Sequence, residues 1–464
     1  MRRTHPLDYF FKPKAVALIG ASSKPGKIGH ESLRSLLMTG YSGKIYPVNP
    51  RAQEILGLKV YPSLLDIPDE IDLAVITLPA RAVVEAVKDC VRKGVKAAVI
   101  ISGGFGEAGL EGKRIEEEVV RLAREGGMRI IGPNCIGVFD GHSRVDTSFQ
   151  PHERMGRPGP GVVAFLSQSG TFGATFLDWA AEDHLGVSKM VSLGNRADVD
   201  EADLISYLAE DEETQVIGVY VESFTRGREL MESVRNAGKP VVVYKASRTE
   251  KGSLAAVSHT GRMVARHEVA SSALRQAGAL LVDSFGELYA SIKALAKQPA
   301  MRNGGIVMVT NGAGPCVMAA DELAMREVPL TQLSDDTRDE LRESLPPYAL
   351  VGDFVIDLTG SASTSDYMNA LNILAKAEEV GLLGVFVVFQ DSPLEDEFAE
   401  VLSRFDTSSK PLLVFAAGGS YTRDKRALLE RAGIPTYDDV REFASASLAL
   451  WWWGSHEREG TPSI

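Results

Sequence analysis

The 464-residue chain is short of cysteine, of histidine and of long apolar runs, and it carries no surplus of basic charge. Its three cysteines, Cys90, Cys135 and Cys316, are spaced as neither a metal-ligand set nor a disulfide framework, which points to a reducing compartment. No stretch approaches the roughly 18 apolar residues that span a bilayer. The opening MRRTHPLDYFFKPKAVALIG has no long apolar run ahead of its first expected strand. Lysine and arginine number 50 against 62 aspartates and glutamates, a net charge of −12. That balance argues against a polyanion such as nucleic acid as the main partner. The expectation is a soluble, cytoplasmic protein with neither a membrane nor a nucleic-acid partner.

What the chain does have is an apolar fraction of 44%, ample for packed cores, and a length that suits about three domains. Short Val- and Ile-rich runs alternate with helical stretches from end to end, the rhythm of parallel sheets wrapped by helices. The first region offers strands at AVALIG (15–20), KIYPVN (44–49), DLAVITL (72–78), KAAVIIS (96–102) and RIIG (129–132). Each ends in small or turn-forming residues, where the ligand-binding loops of such sheets lie. HERMGRPGPG (152–161) and AKQPAMRNGG (296–305) read as boundaries, giving domains at 1–150, 151–300 and 301–464.

The last two thirds contain an internal repeat. GVVAFLSQSGTFGATFLDW from Gly161 aligns without a gap on GIVMVTNGAGPCVMAADEL from Gly305. VIGVYVESF (216–224) then matches LLGVFVVFQ (382–390), KPVVVYKAS (239–247) matches KPLLVFAAG (410–418), and RQAG (275–278) matches ERAG (430–433). The order is kept while the spacing varies, as loops do between copies of one fold. Between the last two blocks the first copy is about sixteen residues longer, and the extra length holds His259. The first copy also has Glu222 where the second has Val388.

The loop GASSKPGKIG (20–29) runs from a strand into a helix, an arrangement that brings backbone amides and a helix N-terminus to a phosphate. Its glycines, at 20, 26 and 29, do not make GxGxxG. Asn49-Pro50-Arg51 stands where an NAD site places an acidic residue, and Arg51 suits a ribose phosphate, as in NADP or coenzyme A. ISGGFG (101–106) and GPNC (132–135) fall at the same sheet edge. Each copy of the repeat opens with a strand, a small-residue loop and a helix, at Ser167-Gln168-Ser169-Gly170-Thr171 and at Thr310-Asn311-Gly312-Ala313-Gly314. Each is a candidate phosphate site, and each also fits an ordinary N-capped turn. His259 lies in the small, polar segment AVSHTG. A neutral imidazole can attack phosphorus and later leave, with Glu222 as the candidate partner on its other nitrogen. An ordinary loop histidine is the competing reading. Trp451-Trp452-Trp453, expected at a helix end, cannot all share one helix face. An interface and simple packing are both open for it.

Taken together and in this order, the residues resemble the alpha subunit of ADP-forming acyl-CoA synthetases, typified by ADP-forming acetyl-CoA synthetase and related to succinyl-CoA synthetase. The likeness runs over nearly the whole chain. It implies a Rossmann-like CoA-binding domain followed by two flavodoxin-like parallel-sheet domains, an α/β architecture throughout. The CoA contacts it implies are Gly20, Ala21, Ser22, Ser23, Lys27, Ile28, Gly29, Asn49, Arg51, Ser102, Gly103, Gly104, Phe105, Asn134 and Cys135. The phosphate-site residues are Ser167, Gln168, Ser169, Gly170, Asn311, Gly312, Ala313 and Gly314, joined by the segment GNRADVDEAD (194–203). His259 matches the family's phosphohistidine and Glu222 the glutamate that holds it. In GDFVIDLTGSAS (352–363), Val355-Ile356 replaces an Asn-Pro common in relatives, so that segment is given no ligand role. No region suits an ATP-grasp domain. The resemblance therefore implies a separate beta subunit in an α2β2 assembly, carrying ADP or ATP with Mg2+, while this chain holds no metal. The implied reaction joins acyl-CoA, ADP and phosphate to give acid, CoA and ATP, with an acetyl or similarly short acyl group. An NADP-dependent oxidoreductase and a noncatalytic CoA sensor or scaffold are the alternatives.

Overall fold

The computed structural model describes residues 5–254 and 266–459. The chain divides into two compact units, Met1–Leu281 and Val282–Ile464.

Unit 1 holds two sheets. The first has five parallel strands in the order Lys44–Val48, Ala15–Ile19, Leu73–Ile76, Ala97–Ile100, Arg129–Ile131. Every residue of Ala15–Ile19, Leu73–Ile76 and Ala97–Ile100 is buried, which is why these runs are uniformly apolar rather than alternating. Chain order reverses beside Ala15–Ile19, and the loop after that strand lies at this switch point. Two glycines make the loop possible. Gly20 has φ +96°, and a Cβ on Gly29 would stand 2.2 Å from the Gly20 carbonyl oxygen.

The second sheet has the strand order Leu280–Val282, Val241–Lys245, Val216–Val221, Pro160–Ser167, Val187–Ser192, Val138–Asp140, Val145–Asp146. Val138–Asp140 joins antiparallel to Val187–Ser192, so residues before the Gly- and Pro-rich stretch already belong to this sheet. A capping box at Asp200 starts the helix Glu201–Glu210, and Ser169 caps Gly170–Glu182.

Unit 2 has one sheet, in the order Leu350–Val351, Val355–Asp357, Gly305–Thr310, Val380–Phe386, Leu412–Phe415, Thr436–Tyr437. The helix Phe285–Lys297 packs against Val440–Glu459 in the same unit. The three tryptophans sit within that long helix, which continues to Glu459 instead of ending at them.

The repeat is visible in the strand orders, since the central strands of the two last sheets correspond one for one. The register differs from the gap-free alignment. Ser167 lies opposite Tyr220 and Thr310 opposite Phe386, and Tyr220 and Phe386 are matched positions of the repeat. Ser167 therefore corresponds to Thr310 rather than Asn311. The helices start at Gly170 and Gly314, so the second loop is one residue longer.

Candidate active site

A cavity of about 680 Å³ opens in unit 1. Its walls are the loops after five strands: Ser102 and Gly103, Asn134 to Ile136, Gln168 to Thr171, Gly194 to Arg196, and Glu222. Parallel sheets gather ligands at this edge because the loops there carry free backbone groups and helix N-termini. The cavity thus brings together nine of the expected residues: Ile28, Ser102, Gly103, Asn134, Cys135, Gln168, Ser169, Gly170 and Glu222.

On the phosphate side, Ser167 Oγ accepts from Ser169 N at 3.2 Å and donates to Ser169 O at 2.7 Å. Ser169 Oγ in turn accepts from Phe172 N. This turn aims the first amides of Gly170–Glu182 at the cavity, where the helix dipole favours an anion. Gln168 fixes the neighbouring strand end. Its Oε1 accepts from Glu222 N at 2.8 Å and Ser223 N at 3.3 Å, and its Nε2 donates to Ser223 O at 2.8 Å and to Glu201. Arg196, buried and at φ +53°, donates to Ser223 O at 2.7 Å, to Ser223 Oγ at 2.8 Å and to both oxygens of Glu201. Glu222 is thereby held by its backbone, while its Oε1 accepts from Tyr220 Oη at 3.3 Å.

The CoA-side residues form a braced loop. Gly26 N donates to Glu31 Oε1 at 2.8 Å, His30 Nδ1 lies 3.0 Å from Ser22 O, and Asn49 Nδ2 donates to Ala21 O at 2.7 Å. Asn49 Oδ1 also accepts from Arg51 N. Gly20, Ala21, Ser22, Ser23, Lys27, Gly29, Asn49 and Arg51 lie on this loop and the adjoining strand end. Of the loop only Ile28 reaches the cavity wall. Gly104 N and Phe105 N are engaged by Glu107 Oε1, and the Phe105 ring is buried in the core. Cys135 is buried with Sγ 3.4 Å from Ile100 O, and burial pushes its thiol up to about 12.

In unit 2, Asn311 is buried. Its Oδ1 accepts from Val388 N and Tyr367 Oη, each at 2.8 Å, and its Nδ2 donates to Val388 O and Asp391 at 3.0 Å. It performs for that sheet the clamping that Gln168 performs for the other. Gly312, Ala313 and Gly314 lead into the helix Gly314–Met325. His259 lies outside the described residues.

Sequence reasoning missed Phe149 and Gln150, which line the cavity from a segment read as the tail of the first domain. It also placed Asn195 and Arg196 in a phosphate segment without assigning them a task. The positive φ of Arg196 leaves no signature in residue type. Among the described residues no group of three His, Cys, Asp or Glu side chains could hold a metal ion. No described helix is long and apolar enough to cross a membrane.

Residues 14–140 match the CoA-binding domain family, and residues 160–295 match the succinyl-CoA ligase like flavodoxin domain. The chain is 38% identical over 451 residues to the alpha subunit of acetate–CoA ligase [ADP-forming] II of Pyrococcus furiosus, covering 96% of this chain and 97% of that one. The chain belongs to the ADP-forming acetate–CoA ligase family. It is similar to the dinucleotide-forming acetyl-coenzyme A synthetase 1 of Ca. Korarchaeum cryptofilum, solved in complex with phosphate and ADP. That match has a TM-score of 0.90 and 34% identity over 99% of each chain. A crystal structure from Pyrococcus horikoshii matches with a TM-score of 0.86 and 37% identity, over 98% of this chain and all of that one. Membership of the ADP-forming ligases makes the chain an acid–thiol ligase, with a CoA-binding domain ahead of flavodoxin-like sheets.

Proposed function

We propose that this chain is the alpha subunit of an ADP-forming acyl-CoA synthetase acting on acetyl-CoA or a similarly short acyl-CoA. One observation carries the reading: a single cavity joins loops of the CoA-binding sheet to a helix N-terminus and to Glu222. A phosphate oxygen attacks the thioester carbonyl there, the C–S bond breaks, and CoA leaves as the acyl phosphate forms. An imidazole nitrogen of His259 then attacks phosphorus, and the P–O bond to the acyl carboxylate breaks. Glu222 orients the ring through its other nitrogen, and the amides of Gly170 and Thr171 face the phosphoryl oxygens. The phosphoryl group finally passes to ADP, the P–N bond breaking as ATP forms.

Nucleotide and Mg2+ belong in this reading to an ATP-grasp beta subunit, in an α2β2 assembly in the cytoplasm. Carrying the group between two sites keeps water from the acyl phosphate. In this reading the functional domains are 1–150, 151–300 and 301–464, although Val138–Asp140 and Val145–Asp146 pair into the second sheet. The helix that Gly312 to Gly314 lead into is, in the same reading, the family's second phosphate-binding helix. Full-length kinship with acid–thiol ligases tells against an NADP-dependent oxidoreductase and a noncatalytic CoA sensor. The test is to incubate the chain with acetyl-CoA and labelled phosphate and to map acid-labile label. Labelling of the wild type and none of His259→Ala is expected, and equal labelling of that variant would overturn the relay.

A further inference from the structure

Three loops meet behind the cavity wall, and their meeting is not explained by either sheet alone. Asn195 Nδ2 donates to Glu107 Oε2 at 2.5 Å and to Glu116 Oε2 at 2.8 Å. Asn195 Oδ1 lies 3.4 Å from Asn134 Nδ2, and Asn195 N donates to Pro133 O at 2.8 Å. The other oxygen of Glu107 accepts from Gly104 N at 2.5 Å and Phe105 N at 3.2 Å. Gly106 N adds a bond to Glu116 Oε2, and Asn134 N one to Ser102 O. The backbones are equally close. A Cβ on Gly194, itself at φ +54°, would stand 2.2 Å from Pro133 O, and one on Gly103 would stand 3.1 Å from Glu107 Oε1 and 3.2 Å from Asn134 Oδ1.

From this arrangement we infer that Glu107 and Asn195 are positioning residues for the acyl-CoA half of the reaction. They clasp the CoA-side wall (Ser102, Gly103, Asn134) to the phosphate-side wall (Asn195, Arg196) at the spacing in which thioester and phosphate meet. Glu107 itself does not line the cavity and acts through the loops it holds. It is a carboxylate rather than an amide because it must accept on both oxygens, two backbone amides on one and Asn195 on the other. Burial pushes its acid up, but the bonds from Asn195, Gly104 and Phe105 outweigh that and leave it below the usual glutamate range. Two surfaces that must present separate reactants lose rate steeply when misplaced, about a hundredfold for a shift near 1 Å.

The inference rests on the reading of this cavity as the acyl-CoA site, and the experiment separates the two. In Glu107→Gln the side-chain oxygen still accepts from Gly104 and Phe105, while its new amide meets the Asn195 amide donor to donor. The turn is retained, the Glu107–Asn195 bond is lost, and Asn195 is left holding only Glu116 on that side. Asn195→Ala removes the bonds to Glu107, Glu116 and Asn134 together, without opposing donors. Phosphorylation of the chain is measured in two directions, from acetyl-CoA with phosphate and from ATP with the nucleotide-binding partner, alongside CoA binding by calorimetry. Both variants are expected to lose about tenfold or more in the acetyl-CoA direction and in CoA affinity, with ATP-driven phosphorylation within about twofold of wild type. Equal loss in both directions would mark the bonds as merely structural and overturn the inference. So would variants that match wild type in both. A wild-type chain that binds no CoA would instead sink the reading of the site.

Discussion

Lys245 ends the strand Val241–Lys245 almost fully buried, its ammonium donated to the Ala246 carbonyl. Burial lowers it to about 8, with the charge of Glu222 opposing. The second repeat has Ala416 at the matching place. Because the folded value lies below the unfolded one, charging Lys245 costs stability at all pH below about 8. The cost is relieved as pH rises toward the free lysine value near 10.4. Lys245→Met should therefore stabilise unit 1 by about 2 kcal/mol at pH 7, after discounting for residual screening, and by little at pH 10. Urea unfolding at the two pH values checks this. At the same scale, Glu222→Gln keeps the backbone clamp from Gln168, which uses Glu222 N. It should leave CoA binding within about twofold while cutting phosphorylation at least about tenfold. Equal loss of both would count against its assigned role. The thiols should stay silent: Cys135 and Cys316 are raised to about 12 and Cys90 is raised further, all by burial. A thiol reagent at pH 8 should find no fast-reacting group in the native chain, and three after denaturation.

At the scale of elements, the loop from Gly20 to Gly29 depends on the helix Ile28–Met38 starting in contact with the strand end. A methyl at Gly29 meets the Gly20 carbonyl, a backbone atom that has little room to give. Gly29→Ala should cost about 1–3 kcal/mol in stability and weaken CoA about tenfold, read by calorimetry. The Gly-rich pattern was legible as a turn with close approach. What it touches was not, because the Gly20 carbonyl and the side chain of Thr77, just past the strand Leu73–Ile76, come up against Gly29 only in the fold. The repeat shows the same division. Its blocks were plain in the sequence, yet the register was misread by one residue. Only the sheet partners Tyr220 and Phe386 reveal that Ser167 matches Thr310.

At the scale of the molecule, the two units have separate cores, one built on Val219 and Val243, another on Leu383 and Val414. Asn311 is the polar hub of the second, and removing it strands Val388 N and leaves Tyr367 Oη with the Phe386 carbonyl alone. Asn311→Ala should destabilise unit 2 by about 2–3 kcal/mol without changing CoA affinity in unit 1. Differential scanning calorimetry, with a CoA titration on the same sample, distinguishes this from a coupled loss.

The sequence by itself determined that the chain is built of parallel sheets, that one of them is duplicated, and which loops stand at the ligand edge. Apolar runs, glycines and small-residue loops are local properties, and the strand-to-loop order follows from them. Only the tertiary structure decided that Gln168 and Asn311 spend their amides clamping a neighbouring strand, that Phe149 and Gln150 reach the cavity, and that Glu107 is bonded to Asn195. Those pairings join segments far apart in the chain. Their hydrogen bonds exist only once distant strands have paired or, for Glu107 and Asn195, once two sheets have packed, and residue type and spacing do not carry them.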